Sequence, residues 1–178
     1  AGDGAPLLST FVGVVPTIDA KIVDTFALIN AVHARPCILV DGDDDGRGYF
    51  DAVKVSNPPP RCVVFWPQGW AMEHMVSWIA GADEVPMLAA LGTALGTPIE
   101  DAQALTTHLL TQKSYAPTHE SAAVILMGNA ACRTRTALLL NGLCGVLRDP
   151  ANANTPLFTR IIADSTGDMH VFRFVPPP

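Results

Sequence analysis

The chain has no apolar run approaching the roughly 18 to 20 uninterrupted residues that a membrane-crossing helix needs. It also lacks the basic end, apolar core and small-residue cleavage site of a signal peptide. A protein free of membrane, in a cytoplasmic setting, is the expectation. No C-x-x-C pair exists, so Cys37, Cys62, Cys132 and Cys144 offer no zinc or redox motif and are expected to be buried, reduced thiols. Neither H-x-x-x-H nor H-E-x-x-H occurs among His33, His74, His108, His119 and His170, which read as surface or core histidines, with His74 alone beside a candidate acid. Ser9, Ser56, Ser77 and Ser121 stand in no nucleophile-elbow sequence. Lysine is scarce, at three residues, and the formal net charge of −6 argues against a basic, sequence-independent nucleic-acid binder. That charge is compatible with a metal-dependent nuclease, whose site needs several acids and whose bound cations reverse the local sign. An initiator methionine is missing as well, and the opening Ala1-Gly2-Asp3-Gly4 suggests a piece of a longer chain.

What the sequence does have is Pro36-Cys37-Ile38-Leu39-Val40-Asp41-Gly42-Asp43-Asp44-Asp45-Gly46, an apolar strand-forming run that stops at a cluster of aspartates. Open α/β sheets bind ligands beyond the carboxyl ends of their strands. Four neighbouring acids repel one another, and a divalent cation is a common remedy. Asp41 and Asp43 form a D-x-D whose hard oxygen ligands suit Mg²⁺ or Mn²⁺, with Asp44 and Asp45 solvated or in support. The spacing Asp41-x-Asp43-x-Asp45-Gly46 imitates half of a calcium loop. Position twelve of such a loop is Ala52, however, where a bidentate acid is required.

Strands are expected at Phe11–Val15, Cys37–Val40 and Cys62–Trp66, with His170–Val175 as an edge strand. Ile22, Phe26, Ile29 and Val32 recur at helical spacing between Ile18 and His33, with Asp19 as the cap. Strand, helix, strand in that order sets up a parallel crossover. Asp41 to Gly48 reads as a loop, followed by a short helix or irregular turn from Tyr49 to Val55. A helix over Trp70–Ala80 is expected to turn Met72, Met75, Val76 and Ile79 inward and to carry Glu73 in its first turn. With parallel strands, Glu73 then lies on the same sheet edge as Asp41. Beyond Gly81 the composition becomes alanine- and leucine-rich. Thr97-Pro98-Ile99-Glu100 reads as a capping box opening a helix that runs to about Gln112, and further helices span Thr118–Met127 and Asn129–Leu147. Lys113, at a helix end, could offset a helix dipole or stabilise charge on a phosphate. The expected fold is one α/β domain over 1–178, a parallel sheet with flanking helices, with 1–80 as the metal-site core and 81–150 as a helical insertion.

The glycine-containing acidic turn at the start, Val40-Asp41-Gly42-Asp43, Trp66-Pro67-Gln68-Gly69-Trp70-Ala71-Met72-Glu73, and Gln112-Lys113-Ser114-Tyr115 stand in a telling order. Together with Glu120, Cys132, Arg133 and Leu138-Leu139-Leu140-Asn141, they resemble the Toprim nuclease domain of the OLD (overcoming lysogenization defect) family, class 2. The order and spacing of these blocks, over nearly the whole chain, carry the resemblance. It implies a Toprim-like α/β sheet with an additional helical element in the C-terminal half, and DNA cleavage with two Mg²⁺ or Mn²⁺ ions, Ca²⁺ being a non-productive substitute. By position it implies Asp41, Asp43 and Glu73 as metal ligands, Asp3 as a further acid, and Lys113 as the transition-state cation. It also implies an amino-terminal ATPase domain elsewhere in the full-length protein and a homodimer. The family's glutamate at the end of the first Toprim strand has no counterpart before Asp3. Either it precedes Ala1 or the chain is a degenerate Toprim module used for DNA binding or dimerisation. Two other strand-then-acid enzyme classes fit less well. A haloacid-dehalogenase phosphatase wants threonine or valine where Asp45 stands, and a receiver domain wants an aspartate where the later strand ends Phe65-Trp66-Pro67.

Overall fold

The computed structural model describes residues 15–18, 21–33, 36–113 and 115–177. Asp3, Asp19 and all but Val15 of the strand expected over Phe11–Val15 lie outside the described residues. The chain divides into two compact units, the first built from residues 1–69 and 140–178 and the second from 70–139.

The first unit is α/β. Its sheet has the order β1-β2-β4-β3, formed by β1 (Cys37–Val40), β2 (Cys62–Phe65), β3 (Phe158–Arg160) and β4 (His170–Phe174). β1, β2 and β4 are parallel, and only β3 runs antiparallel. Strands buried on both faces read as continuous apolar runs, which is why Cys62-Val63-Val64-Phe65 has no polar alternation and is buried throughout. On one face Ile38 and Val40 of β1, Val63 and Phe65 of β2, and Val171 of β4 form a core. Phe26 from α1 (Ile22–Val32) and Phe50 and Val53 from α2 (Asp44–Val53) join it. The Phe50 and Phe65 rings meet edge to face at 5.5 Å. On the other face lies the final part of α7 (Ala130–Arg148), whose Leu147 carbonyl accepts from the Cys37 thiol at 3.8 Å.

Three sequence expectations need correction in this unit. His170–Phe174 is not an edge strand but lies between β2 and β3. The edge belongs to Phe158–Arg160, whose three residues are too few to give a periodicity. Val32, expected on the buried face of α1, is 77% exposed. The loop expected over Asp41–Gly48 is also cut short, because α2 already begins at Asp44. Acids in a first helical turn complement the helix dipole, so Asp44 and Asp45 favour the helix that their polarity concealed.

The second unit is helical. It holds α3 (Met72–Ala80), a 3-10 turn at Gly81–Asp83, α4 (Glu84–Leu95), α5 (Ala102–Thr111), α6 (Ala116–Gly128) and the beginning of α7. Leu88 and Leu91 of α4, Leu105 and Leu109 of α5, and Leu126 of α6 form its core, with Cys132 of α7. α4 stops at Gly96, whose φ of +67° suits a residue without a Cβ. The capping box expected at Thr97–Glu100 is not used. Asp101 caps α5 instead, accepting from the Ala104 amide at 2.7 Å. Aspartate is as good a cap as threonine, and its position here sets the helix start four residues later. Asn129 caps α7 as its sequence suggests, its Oδ1 accepting from the amides of Ala131 at 2.9 Å and Cys132 at 3.0 Å. Met72, expected inward, is 50% exposed.

Candidate functional site

In the first unit, β1 delivers its acids to the carboxyl end of the sheet, where the turns after β1 and β2 are tied together. The Trp66 amide donates to the Val40 carbonyl at 3.1 Å, and the Gly69 amide donates to the Gly42 carbonyl at 2.9 Å. The approach is so close at Gly42 that a Cβ there would overlap the backbone of Pro67 and Trp66. Gly46 is held as tightly, since a Cβ on it would run into the Asp41 carbonyl. Gly42, between two of the acids, and Gly46, after the last, are therefore packing requirements, which spacing alone does not disclose.

Asp41 follows the last residue of β1 and is half-buried. Asp43, also half-buried, has the extended backbone of a helix cap, φ −93° and ψ −173°. Its Oδ1 accepts from the Gly46 amide at 2.9 Å. One oxygen thus holds the start of α2, and Oδ2 stays outside the cap. Asp44 and Asp45 are exposed.

In the second unit, the sequence-predicted Glu73 is the second residue of α3 and is only 4% exposed. Its Oε1 lies 3.7 Å from Nε2 of His119, brought in by α6. Its Oε2 is buried with no hydrogen-bond partner. A buried carboxylate oxygen left unsatisfied costs on the order of 1 to 3 kcal/mol or more, a cost that an ordered water or a cation offsets. A divalent cation, which binds through hard oxygens, is a ligand of that chemistry. Among the described residues, Oε2 is the one carboxylate oxygen in a set of four such buried atoms, with Asn30 Oδ1, Thr136 Oγ1 and Arg173 Nε.

His119, read from sequence as an ordinary surface or core histidine, is the residue that meets Glu73. His74, the chain neighbour of Glu73, serves α3 instead, its Nδ1 accepting from the Ala71 amide at 3.1 Å while its ring stacks on Trp70 at 5.8 Å. The two sites of the Glu73–His119 pair lie on separate helices 46 residues apart, so no local spacing could have revealed them. Below Glu73 a buried hydroxyl chain continues along α3. Thr106 Oγ1 donates to Ser77 Oγ at 2.6 Å, and Ser77 Oγ donates to the Glu73 carbonyl at 3.3 Å. Lys113 is exposed just past the end of α5, as its sequence position suggests.

Among the described residues, no three histidine, cysteine, aspartate or glutamate side chains are grouped as a preformed metal site. Among the same residues, no helix is long and apolar enough to cross a membrane. No family profile matches the chain, and comparison with curated proteins and with solved structures gives no match either.

Proposed function

We propose that the chain is a Toprim-like, metal-dependent DNA endonuclease domain that hydrolyses phosphodiester bonds with two Mg²⁺ or Mn²⁺ ions. The observation that carries the proposal is the buried, unpartnered Oε2 of Glu73. The D-x-D at the carboxyl end of a parallel strand supports it, because that end of an open α/β sheet is where ligands bind.

Under this reading Asp41 and Asp43 hold cations in the first unit and Glu73 holds a cation in the second. Asp43 does so through the oxygen that the α2 cap leaves over. Bound cations would supply a water acidified toward neutral pH and would neutralise charge on the scissile phosphate. The polypeptide's own contribution is to orient the acids. The α2 cap fixes the Asp43 carboxylate, and the buried wall around Glu73 removes the competing water that would weaken its electrostatics. Lys113 adds a positive charge suited to a phosphate whose negative charge grows in the transition state. On a chain of net charge −6, these cations are what would let a polyanion approach. In the full-length protein the proposed partners are DNA, an amino-terminal ATPase domain and a second copy of the chain.

The test is cleavage of supercoiled plasmid in Mg²⁺ or Mn²⁺, with any residues preceding Ala1 restored. Nicking or linearisation that is lost in Asp41→Ala is the expected result. An Asp41→Ala protein that cuts as well as the parent overturns the assignment. Calorimetric titration with Mn²⁺ separates the degenerate-module reading. A saturable Mn²⁺ site that is lost in Asp41→Ala supports the metal-dependent reading, whereas DNA binding with no saturable Mn²⁺ site supports a non-catalytic module.

A further inference from the structure

The opposite end of the same sheet carries different chemistry. Cys37, the first residue of β1, is in register with Cys62, the first residue of β2, and Cys62 is in register with His170, the first residue of β4. Residues paired across parallel strands point to the same face, so the two thiols are neighbours. Adjacent strands lie about 4.8 Å apart, inside the roughly 4.4 to 6.8 Å range of Cα separations that a disulfide bridges. The two cysteines are not equivalent. Cys62 is fully buried, whereas Cys37 is partly open to solvent.

The surroundings sharpen that asymmetry. The neighbouring Cys62 thiol, with help from the Arg61 guanidinium and against the effect of burial, holds Cys37 below the usual thiol range. The neighbouring Cys37 sulfur and burial push the Cys62 thiol up. Arg61 is held beside the pair by its Nη2 donating to the Arg148 carbonyl at 2.9 Å. A row of two cysteines and a histidine could instead suggest a metal. Among the described residues, though, no three such ligands are grouped for one, and Nδ1 of His170 already accepts from Arg160 at 2.9 Å. A more exposed thiol that ionises readily, beside a buried thiol that keeps its proton, is the arrangement of an attacking and a resolving cysteine.

We propose that Cys37 and Cys62 form a peroxide-reactive dithiol that closes to a cross-strand disulfide. The Cys37 thiolate attacks one oxygen of hydrogen peroxide. The O–O bond breaks, the sulfur is oxidised to a sulfenic acid, and the departing hydroxide takes up a proton to leave as water. The Cys62 sulfur then attacks the Cys37 sulfur, its proton passing to the departing hydroxyl, so that the S–S bond forms and a second water leaves. Two thiols lose two hydrogens and one peroxide becomes two waters. The site shares no residue with the proposed nuclease, so either reading can fail without the other.

The experiment is treatment of the protein with stoichiometric hydrogen peroxide, followed by thiol counting in denaturant and peptide mapping without reduction. The four free thiols should fall to two, with Cys37 and Cys62 peptides joined within one chain, and dithiothreitol should restore all four. Cys62→Ser should stop at a Cys37 sulfenic acid that dimedone traps, and Cys132→Ser should still lose two thiols. A parent map in which Cys37 and Cys62 stay unjoined overturns the proposal, as does one in which Cys132 or Cys144 is consumed first. The parent map decides even if a variant fails to fold.

Discussion

Asp43 and Glu73 are both acids near the start of a helix that follows a parallel strand, and their surroundings differ sharply. Asp43 is half-buried and gives Oδ1 to the Gly46 amide, so the fold alone accounts for a carboxylate there. Glu73 is almost wholly buried, 3.7 Å from a single histidine nitrogen, with its second oxygen unsatisfied. A place in the first turn of α3 favours an acid through the helix dipole, yet leucine or methionine would suit so buried a face better. From sequence the D-x-D is the more conspicuous feature, and Glu73 is a candidate ligand mainly through its place after a strand and the family resemblance. In the structure the weight shifts: Asp43 is used as a helix cap, whereas Glu73 keeps one buried oxygen with no protein hydrogen-bond partner. A buried acid that the fold satisfies only in part is the better pointer to function.

The strongest way to break the comparison is at Gly42. If the acidic turn is held by close backbone packing, Gly42→Ala should cost about 3 kcal/mol or more, because the clash is with main chain and not with a movable side chain. A denaturant melt reads this directly. A loss below about 1 kcal/mol would mean that the two turns separate easily and that the Asp41–Asp43 geometry is not fixed by the fold.

Glu73→Gln tests the other side. Replacing the buried carboxyl by an amide of the same shape should leave the fold as stable as before or stabilise it by about 1 kcal/mol. Metal-dependent cleavage should meanwhile fall by on the order of 10²-fold or more, since even residues that only support metal ligands cost about 10- to 100-fold. A variant that is destabilised by 2 kcal/mol and still cuts would show that the glutamate is structural, held by His119.

At Asp43 the two roles can be pulled apart. Asp43→Ala removes the α2 cap and should cost about 1 kcal/mol. Asp43→Asn keeps a good capping oxygen and should hold stability within a few tenths of a kcal/mol, yet should lose cleavage along with alanine. Equal activity in parent and Asp43→Asn would assign this aspartate to the helix alone.

The elements that were legible from sequence are those with local causes. β1 and β2 are runs of strand-forming residues, the α7 cap is an asparagine at a helix start, and Lys113 follows a helix end. What was not legible depends on the rest of the chain. β4 becomes interior only because the short β3, invisible to periodicity, pairs along its outer side. The cap of α5 moved from Thr97 to Asp101 because two adequate caps stood four residues apart. The Glu73–His119 pairing and the Cys37–Cys62 neighbourhood both join segments distant in sequence, through helix packing in one case and strand register in the other. The acids of the candidate site were visible as residue types; the burial that distinguishes them was not.

The smallest expected effect concerns Arg47, in the helix that Asp43 caps. Its guanidinium makes a two-pronged contact with Asp164, Nη1 to Oδ2 at 2.6 Å and Nη2 to Oδ1 at 2.9 Å. The hydrogen bonds from Arg47 hold the Asp164 carboxyl below its ordinary value of 3.8. A carboxylate whose pKa is depressed on folding stabilises the protein above its unfolded pKa, and that contribution is lost as pH falls through the folded value. With Arg47 44% and Asp164 20% exposed, screening by solvent limits the pair to about 0.5 to 1 kcal/mol. Asp164→Asn should therefore lower the melting temperature modestly at pH 6 to 7, and the gap to the parent should narrow as pH falls below about 4. It should narrow at high salt too. A gap that persists unchanged at pH 2 would mean that the contact acts through packing and not through charge.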